Sequence, residues 1–160
     1  MESRATFCAT REGIAPQTLE IRALAEDYLE GRDAESFADI KRVLELEPRH
    51  RAAVLEMGMS YAGELTRLAA IADPDVGVLT NVYPLHLEHF PSVAAIADAK
   101  GELFRGMRAD AVAVYNADDP EATRVALPFP GRKIGFGFTE RAEVRATCLA
   151  PLPSGSTRFR

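Results

Sequence analysis

The chain is short of several things at once. Its 160 residues contain two cysteines, three histidines and no tryptophan. Cys8 and Cys148 cannot make a disulfide framework, so a reducing, cytoplasmic setting is expected. No apolar run approaches the roughly 18 residues a membrane span needs, and Met1–Thr10 lacks the apolar stretch of a signal peptide. There is no excess of positive charge: 19 basic residues against 24 acidic give a net charge of −5. That balance argues against nucleic acid as a partner, because a phosphate backbone is held by basic patches. Nor does the sequence contain a Gly-Lys-Ser or Gly-Lys-Thr phosphate loop. What is present is ordinary globular composition, with 47% apolar and 27% charged residues. A chain of this length can bury roughly 70% of its unfolded surface.

The character of the chain changes near residue 47. Thr18–Tyr28 and Ala34–Glu47 read as amphipathic helices, with Leu19, Ala23 and Leu24 on one face of the first. The second repeats the pattern with Phe37, Ile40, Val43 and Leu44, and Pro48 closes it. Met1–Gly31 offers no chemistry and reads as a helical cap or loose arm. After Pro48, short apolar runs alternate with helical patterns. Strands are expected at Ala52–Leu55, Val76–Thr80, Ala111–Tyr115 and Lys133–Phe136, with helices at Gly63–Ala72 and Ser92–Phe104. This alternation predicts an α/β fold: a three-layer, mostly parallel sheet flanked by helices. Glu143–Leu149 and the residues up to Arg160 predict a C-terminal β-hairpin. The expected division is a helical segment over 1–43 and an α/β domain over 44–160.

Three short patterns imitate known sites. Gly101-Glu-Leu-Phe-Arg-Gly106 has P-loop spacing, but Met107 and Arg108 follow where Lys and Ser or Thr are required. Gly135-Phe-Gly137 starts like a dinucleotide fingerprint, yet Glu140 replaces the third glycine. His86-Leu-Glu-His89 is not the His-Glu-x-x-His of a zinc peptidase, and His89 reads as a surface histidine.

The chemistry lies instead at the strand ends. The first strand runs to Glu56, the second to Thr80-Asn81 with His86 beyond a turn, and the third to Asn116-Ala-Asp118-Asp119. Ligands of open α/β sheets bind outside the carboxyl ends of strands, so these groups should converge on one edge. A carboxylate and an imidazole there can share a divalent cation. Each residue also has a plainer use as a solvated strand end or a helix-capping turn. Lys100, in an alanine-rich helix, either snorkels to solvent or is desolvated toward the site. In the second case its neutral amine can take up CO₂ as a carbamate.

These residues resemble a known family. Leu55-Glu-Met-Gly-Met59, Gly63-Glu-Leu65, Ile71-Ala-Asp-Pro-Asp-Val76 and Leu79-Thr-Asn-Val82 look like the central domain of Mur ligases. His86-Leu-Glu88, Ala99-Lys-Gly-Glu-Leu-Phe104 and Asn116-Ala-Asp-Asp-Pro120 continue the match in order. The resemblance is to the type that joins D-alanyl-D-alanine to UDP-N-acetylmuramoyl-tripeptide in peptidoglycan precursor synthesis. It implies ATP and Mg²⁺ as cofactors and an acyl phosphate attacked by the incoming amine. Glu56 and His86 match the family's magnesium ligands, Lys100 its carbamylated lysine, and Asn116, Asp118 and Asp119 the segment near the adenine.

Departures accompany the match. The family's central domain opens with a strand and a Gly-Lys-Thr loop, and nothing here corresponds to them. Tyr83, Leu85, His89 and Pro91 stand where the family usually has Gly, Ala, Gly and Gly, and Ser60-Tyr61 replaces Asn-His. Without the loop ATP loses its principal anchor, so the expectation is a chain inactive alone. The alternative is a non-catalytic module that holds a nucleotide or a partner chain. An incomplete sheet would also leave an unpaired edge, which predicts self-association.

Overall fold

The computed structural model describes residues 5–10, 52–84, 89–147, 150–151 and 157–158. The helices expected at Thr18–Tyr28 and Ala34–Glu47 lie outside the described residues, as does His86. Strands β1 (Ala5–Thr10), β2 (Ala52–Met57), β3 (Val76–Leu79), β4 (Val112–Asn116), β5 (Arg132–Gly137) and β6 (Val144–Arg145) form one sheet in the order β2-β1-β3-β4-β5-β6. β3, β4, β5 and β6 are parallel neighbours. β1 runs antiparallel to both β2 and β3, so those two are parallel to each other. All the longer strands except β1 therefore end on the same edge.

Two expectations change here. The opening segment is not solely a cap or arm, because Ala5–Thr10 forms a strand inside the sheet. It pairs with β2 over Ala5↔Met57 to Thr10↔Ala52, filling a slot flanked by two strand edges that would otherwise lack partners. The C-terminal hairpin is also shorter and later than expected. Val144–Arg145 joins the main sheet beside β5, where the Ala146 amide donates to the Gly137 carbonyl at 2.9 Å. The hairpin pairs β7 (Ala150–Pro151) with β8 (Thr157–Arg158).

Helices α1 (Glu64–Ala72), α2 (Val93–Gly106) and α3 (Pro120–Ala126) follow β2, β3 and β4. They lie side by side on one face of the sheet, and glycines set the spacing. A Cβ on Gly101 would come within 2.7 Å of Val125 in α3, and one on Gly106 within 2.8 Å of Ala69 in α1. The glycine pair that imitates a phosphate loop is thus a helix-packing device. Gly101→Ala is expected to lower the urea unfolding midpoint, corresponding to about 1 to 3 kcal/mol of overpacking.

The core lies between these helices and the sheet. Leu55, Met57, Leu79 and Ala113 point into it from the strands; Leu65, Leu68, Ile96, Leu103 and Phe104 meet them from the helices. Residues of β2 alternate exposed and buried, the signature of a strand with one covered face. At the opposite, amino edge, Arg108 gathers Asp73, Asp75 and Asp110, tying the end of α1 to the starts of β3 and β4. Among the described residues no helix is long and apolar enough to cross a membrane.

Candidate active site

The carboxyl edge is laced together by side chains from three successive strand ends. Asn116, the last residue of β4, donates from Nδ2 to Oδ1 of Asn81 beyond β3 at 3.1 Å. Its own Oδ1 accepts the Asp118 amide at 2.9 Å. Asp118 then reaches toward β5, where its carboxylate accepts the Phe138 amide at 2.6 Å and the Thr139 amide at 3.0 Å. The Thr139 hydroxyl adds a third bond at 2.6 Å. That hydroxyl first, and then the amides, hold the Asp118 carboxyl below the usual carboxylate range. Gly137 permits the approach, since a Cβ there would lie 2.7 Å from the carboxylate. The second imitation motif therefore has a structural use as well.

Asp119 works in the other direction. Its Oδ1 caps α3 by accepting the Glu121 and Ala122 amides at 2.9 and 3.1 Å, with Pro120 in the first turn. Its Oδ2 accepts the Val82 amide at 2.7 Å, across 37 residues of sequence. Two consecutive aspartates thus fasten the turn after β4 to the turns after β5 and β3. Their acceptor atoms are taken up by the protein's own backbone, and Asn116 faces Asn81.

Lys100 occupies a position that sequence alone leaves open. It lies on the α2 stripe of Ile96, Leu103 and Met107, at offsets of one or two turns, and is only 2% exposed. Desolvation by burial lowers its pKa from 10.5 to about 8. Snorkelling to solvent is excluded. Helical Cα–Cβ bonds tilt toward the N-terminus, so this side chain leans toward the end of α2 that adjoins the carboxyl edge.

Glu56 is the penultimate residue of β2 and is exposed. Through Thr6 it shares a row with Val78, whereas Leu55 shares one with Gly77, whose position abuts Leu103 and Met107 of α2. Glu56 therefore stands on the face away from the helices, while Lys100 comes from the helix side. The two side chains therefore leave from opposite faces of the sheet. Among the described residues no three His, Cys, Asp or Glu side chains are grouped to hold a metal ion. His89 pairs its ring with Tyr61 at 5.0 Å between centroids, bridging the loops that follow β2 and β3.

One residue at this edge goes unassigned by the sequence reading. Glu102, two positions beyond Lys100, is 7% exposed and accepts the Gly63 amide at 2.7 Å and the Thr66 amide at 3.4 Å. It caps α1 from a different helix. The signal was Gly63 itself, which starts α1 without a side chain able to cap it.

A mostly parallel α/β sheet, helix-backed and polar along its carboxyl edge, is the architecture of domains whose ligands bind at the strand ends. The Mur ligase middle domain matches residues 33–159, and the chain belongs to that family. A UDP-N-acetylmuramoyl-tripeptide–D-alanyl-D-alanine ligase of Synechocystis sp. is 37% identical over 108 residues, covering 67% of this chain and 24% of the relative. The ligase of the same name from Bacillus subtilis is 41% identical over 78 residues, 49% of this chain and 17% of the relative. MurF from Acinetobacter baumannii superposes with a TM-score of 0.68 at 25% identity, over 89% of this chain and 33% of that one. MurF from Thermotoga maritima, solved in complex with ADP, shares the fold with a TM-score of 0.63 at 23% identity, over 96% and 38%. The chain spans a quarter or less of the curated relatives' length in these alignments.

Proposed function

We propose that this chain carries the central-domain chemistry of an ATP-dependent amide ligase that joins D-alanyl-D-alanine to UDP-N-acetylmuramoyl-tripeptide. The observation that carries the reading is Lys100, an amine buried in the core stripe of α2 whose pKa desolvation lowers to about 8, which raises the fraction that is unprotonated. A neutral amine can attack CO₂, forming an N–C bond and releasing a proton, and so place an anion where a cation stood.

In this reading Glu56, His86 and carbamylated Lys100 would hold Mg²⁺. A carboxylate and a carbamate suit the preference of that ion for hard oxygen donors, with water and substrate oxygens completing the shell. When bound, Mg²⁺ would neutralise charge developing on a transferred phosphoryl group. Asn116, Asp118 and Asp119 form the adenine-side segment, with the aspartates shaping its turns. That the Thermotoga maritima relative was solved in complex with ADP supports an adenine nucleotide as the ligand class.

The triphosphate is another matter. The 160 residues hold no Gly-Lys-Ser or Gly-Lys-Thr loop, so neither its lysine nor its cradle of amides is supplied by them. The expected result for the purified chain is no ATP turnover. Phosphate release that depends on D-alanyl-D-alanine and disappears in Lys100→Ala would overturn this. The missing loop favours a second reading, a module that takes up nucleotide without catalysis; calorimetry with ATP and Mg²⁺ would then show heat of binding alone. The carbamate has its own test. In ¹³C-bicarbonate the protein should show a carbamate carbon resonance that is absent from Lys100→Met, and its absence from the unsubstituted chain would remove the central support.

A further inference from the structure

We propose that Glu102 is a positioning residue for Glu56, fixing the loop between β2 and α1 against α2 and thereby setting where Glu56 stands relative to Lys100. The inference rests on the reading of Glu56 and Lys100 as partners in one cation site.

A carboxylate that is 7% exposed is expensive unless its oxygens are paired. The structure pairs both: Oε1 takes the Gly63 amide and Oε2 the Thr66 amide. These are donors of the first turn of α1 that have no partner within their own helix. Gly63 cannot cap the helix, and its φ of 94° keeps the position for glycine. The start of α1 thus depends on an acceptor from elsewhere, and α2 provides it.

The segment back to Glu56 has little slack. Met57 and Met59 are buried at 2% and 8% exposure. Ser60 and Tyr61 donate their amides to Glu64 at 2.6 and 3.1 Å. Gly63 then meets Glu102. Anchors recur at nearly every step from β2 to α1, so a shift at the Glu102 end is passed toward Glu56. Successive residues on a helix are turned by about 100°, so Lys100 and Glu102 leave α2 in different directions. Lys100 joins the sheet-facing stripe, while Glu102 shares the α1-facing side with Gly106, which abuts Ala69. One turn of α2 therefore carries the buried lysine and also grips the loop that follows Glu56.

The test uses the full chain with ¹³C and ¹⁵N labels, following the Glu56 side-chain carboxyl carbon and the amides of residues 58–63. Mn²⁺ affinity by electron paramagnetic resonance is measured alongside. The variants are Glu102→Ala, Glu102→Asp and Glu102→Gln, with Val125→Ala as a control that loosens the far side of α2. Glu102→Ala should move the Glu56 carbon and weaken Mn²⁺ binding about tenfold. Glu102→Asp, which keeps the charge but retracts it by one methylene, should do so in part. Glu102→Gln, which keeps one acceptor oxygen, should restore most of both. Val125→Ala should lower stability and leave the Glu56 signal in place. If Glu102→Ala does not fold, Glu102→Asp decides the matter. A Glu56 signal unmoved by Glu102→Asp, or moved equally by Val125→Ala, overturns the proposal. Absence of Mn²⁺ binding in the unsubstituted chain would overturn the cation-site reading instead, and the Glu56 signal would still decide whether Glu102 positions it.

Discussion

Lys100→Met should make the protein more stable at pH 7, by about 3 kcal/mol, in buffer freed of CO₂. The magnitude follows from a pKa lowered from 10.5 to about 8 by burial. Its sign follows from proton linkage. Below pH 8 the lysine is protonated in both the folded and unfolded states, so the folded state bears the desolvation cost of a buried ammonium. Between pH 8 and 10.5 the folded state has released the proton while the unfolded chain retains it, and stability rises with pH. Above 10.5 both states are neutral and the penalty is gone. Urea unfolding should therefore show the advantage of Lys100→Met constant up to about pH 8 and shrinking toward pH 10.5, because methionine fills a similar volume without a titrating group. Bicarbonate should narrow the gap from the other side if the amine is captured as a carbamate. A variant less stable than the parent at pH 7 would mean that the ammonium is stabilised where it lies, and the carbamate reading would lose its basis.

Much of this architecture was legible in the sequence, for identifiable reasons. β2, β3 and β4 are short apolar runs ending in polar residues, and α1 and α2 carry a helical period with a glycine or serine at the start. Such signals are local, so they survive being read one segment at a time. The family resemblance rested on the same segments. β1 was not legible because strand pairing is decided by the partner edges, and Ala-Thr-Phe-Cys-Ala-Thr has no strong pattern of its own. The hairpin was misplaced for a related reason: Val144 and Arg145 follow the edge offered by β5.

Side-chain roles divided along the same line. Lys100 stands out by its type, but only its burial in the folded chain distinguishes a buried amine from a snorkelling one. Glu102 was passed over because an acid on a helix usually faces water. Asp118 and Asp119 stand at the carboxyl edge, and the structure gives their oxygens to amides across 20 and 37 residues of sequence. No spacing rule encodes a bond of that reach.

The Asp119 bonds yield the second large effect. Asp119→Ala removes an N-cap, costing about 1 kcal/mol, and strands the amide of Val82, a residue 8% exposed, at a further cost of about 1 to 3 kcal/mol. Asp119→Asn separates the two. Asparagine caps a helix as well as aspartate does, so Oδ1 can continue to serve Glu121 and Ala122. The amide nitrogen that replaces Oδ2 cannot accept from Val82. Asp119→Asn should therefore keep α3 intact, lose roughly half to three quarters of the stability that Asp119→Ala loses, and raise hydrogen exchange at Val82 as much as the alanine variant does. Equal losses of stability in the two variants would show that the cap and the Val82 bond are not separable. Asp118 adds an acid signature to the same edge. Its carboxyl is held below the usual range by Thr139 and the Phe138 amide, so the folded state binds its proton more weakly than the unfolded chain. The resulting stabilisation is complete above the ordinary carboxylate pKa and is lost as pH falls from there through the lower pKa of the folded state. Hydrogen exchange at Phe138 and Thr139 should rise in acid before exchange in the core of α2 does, because their bonds depend on the ionised Asp118 carboxylate and the helix packing does not.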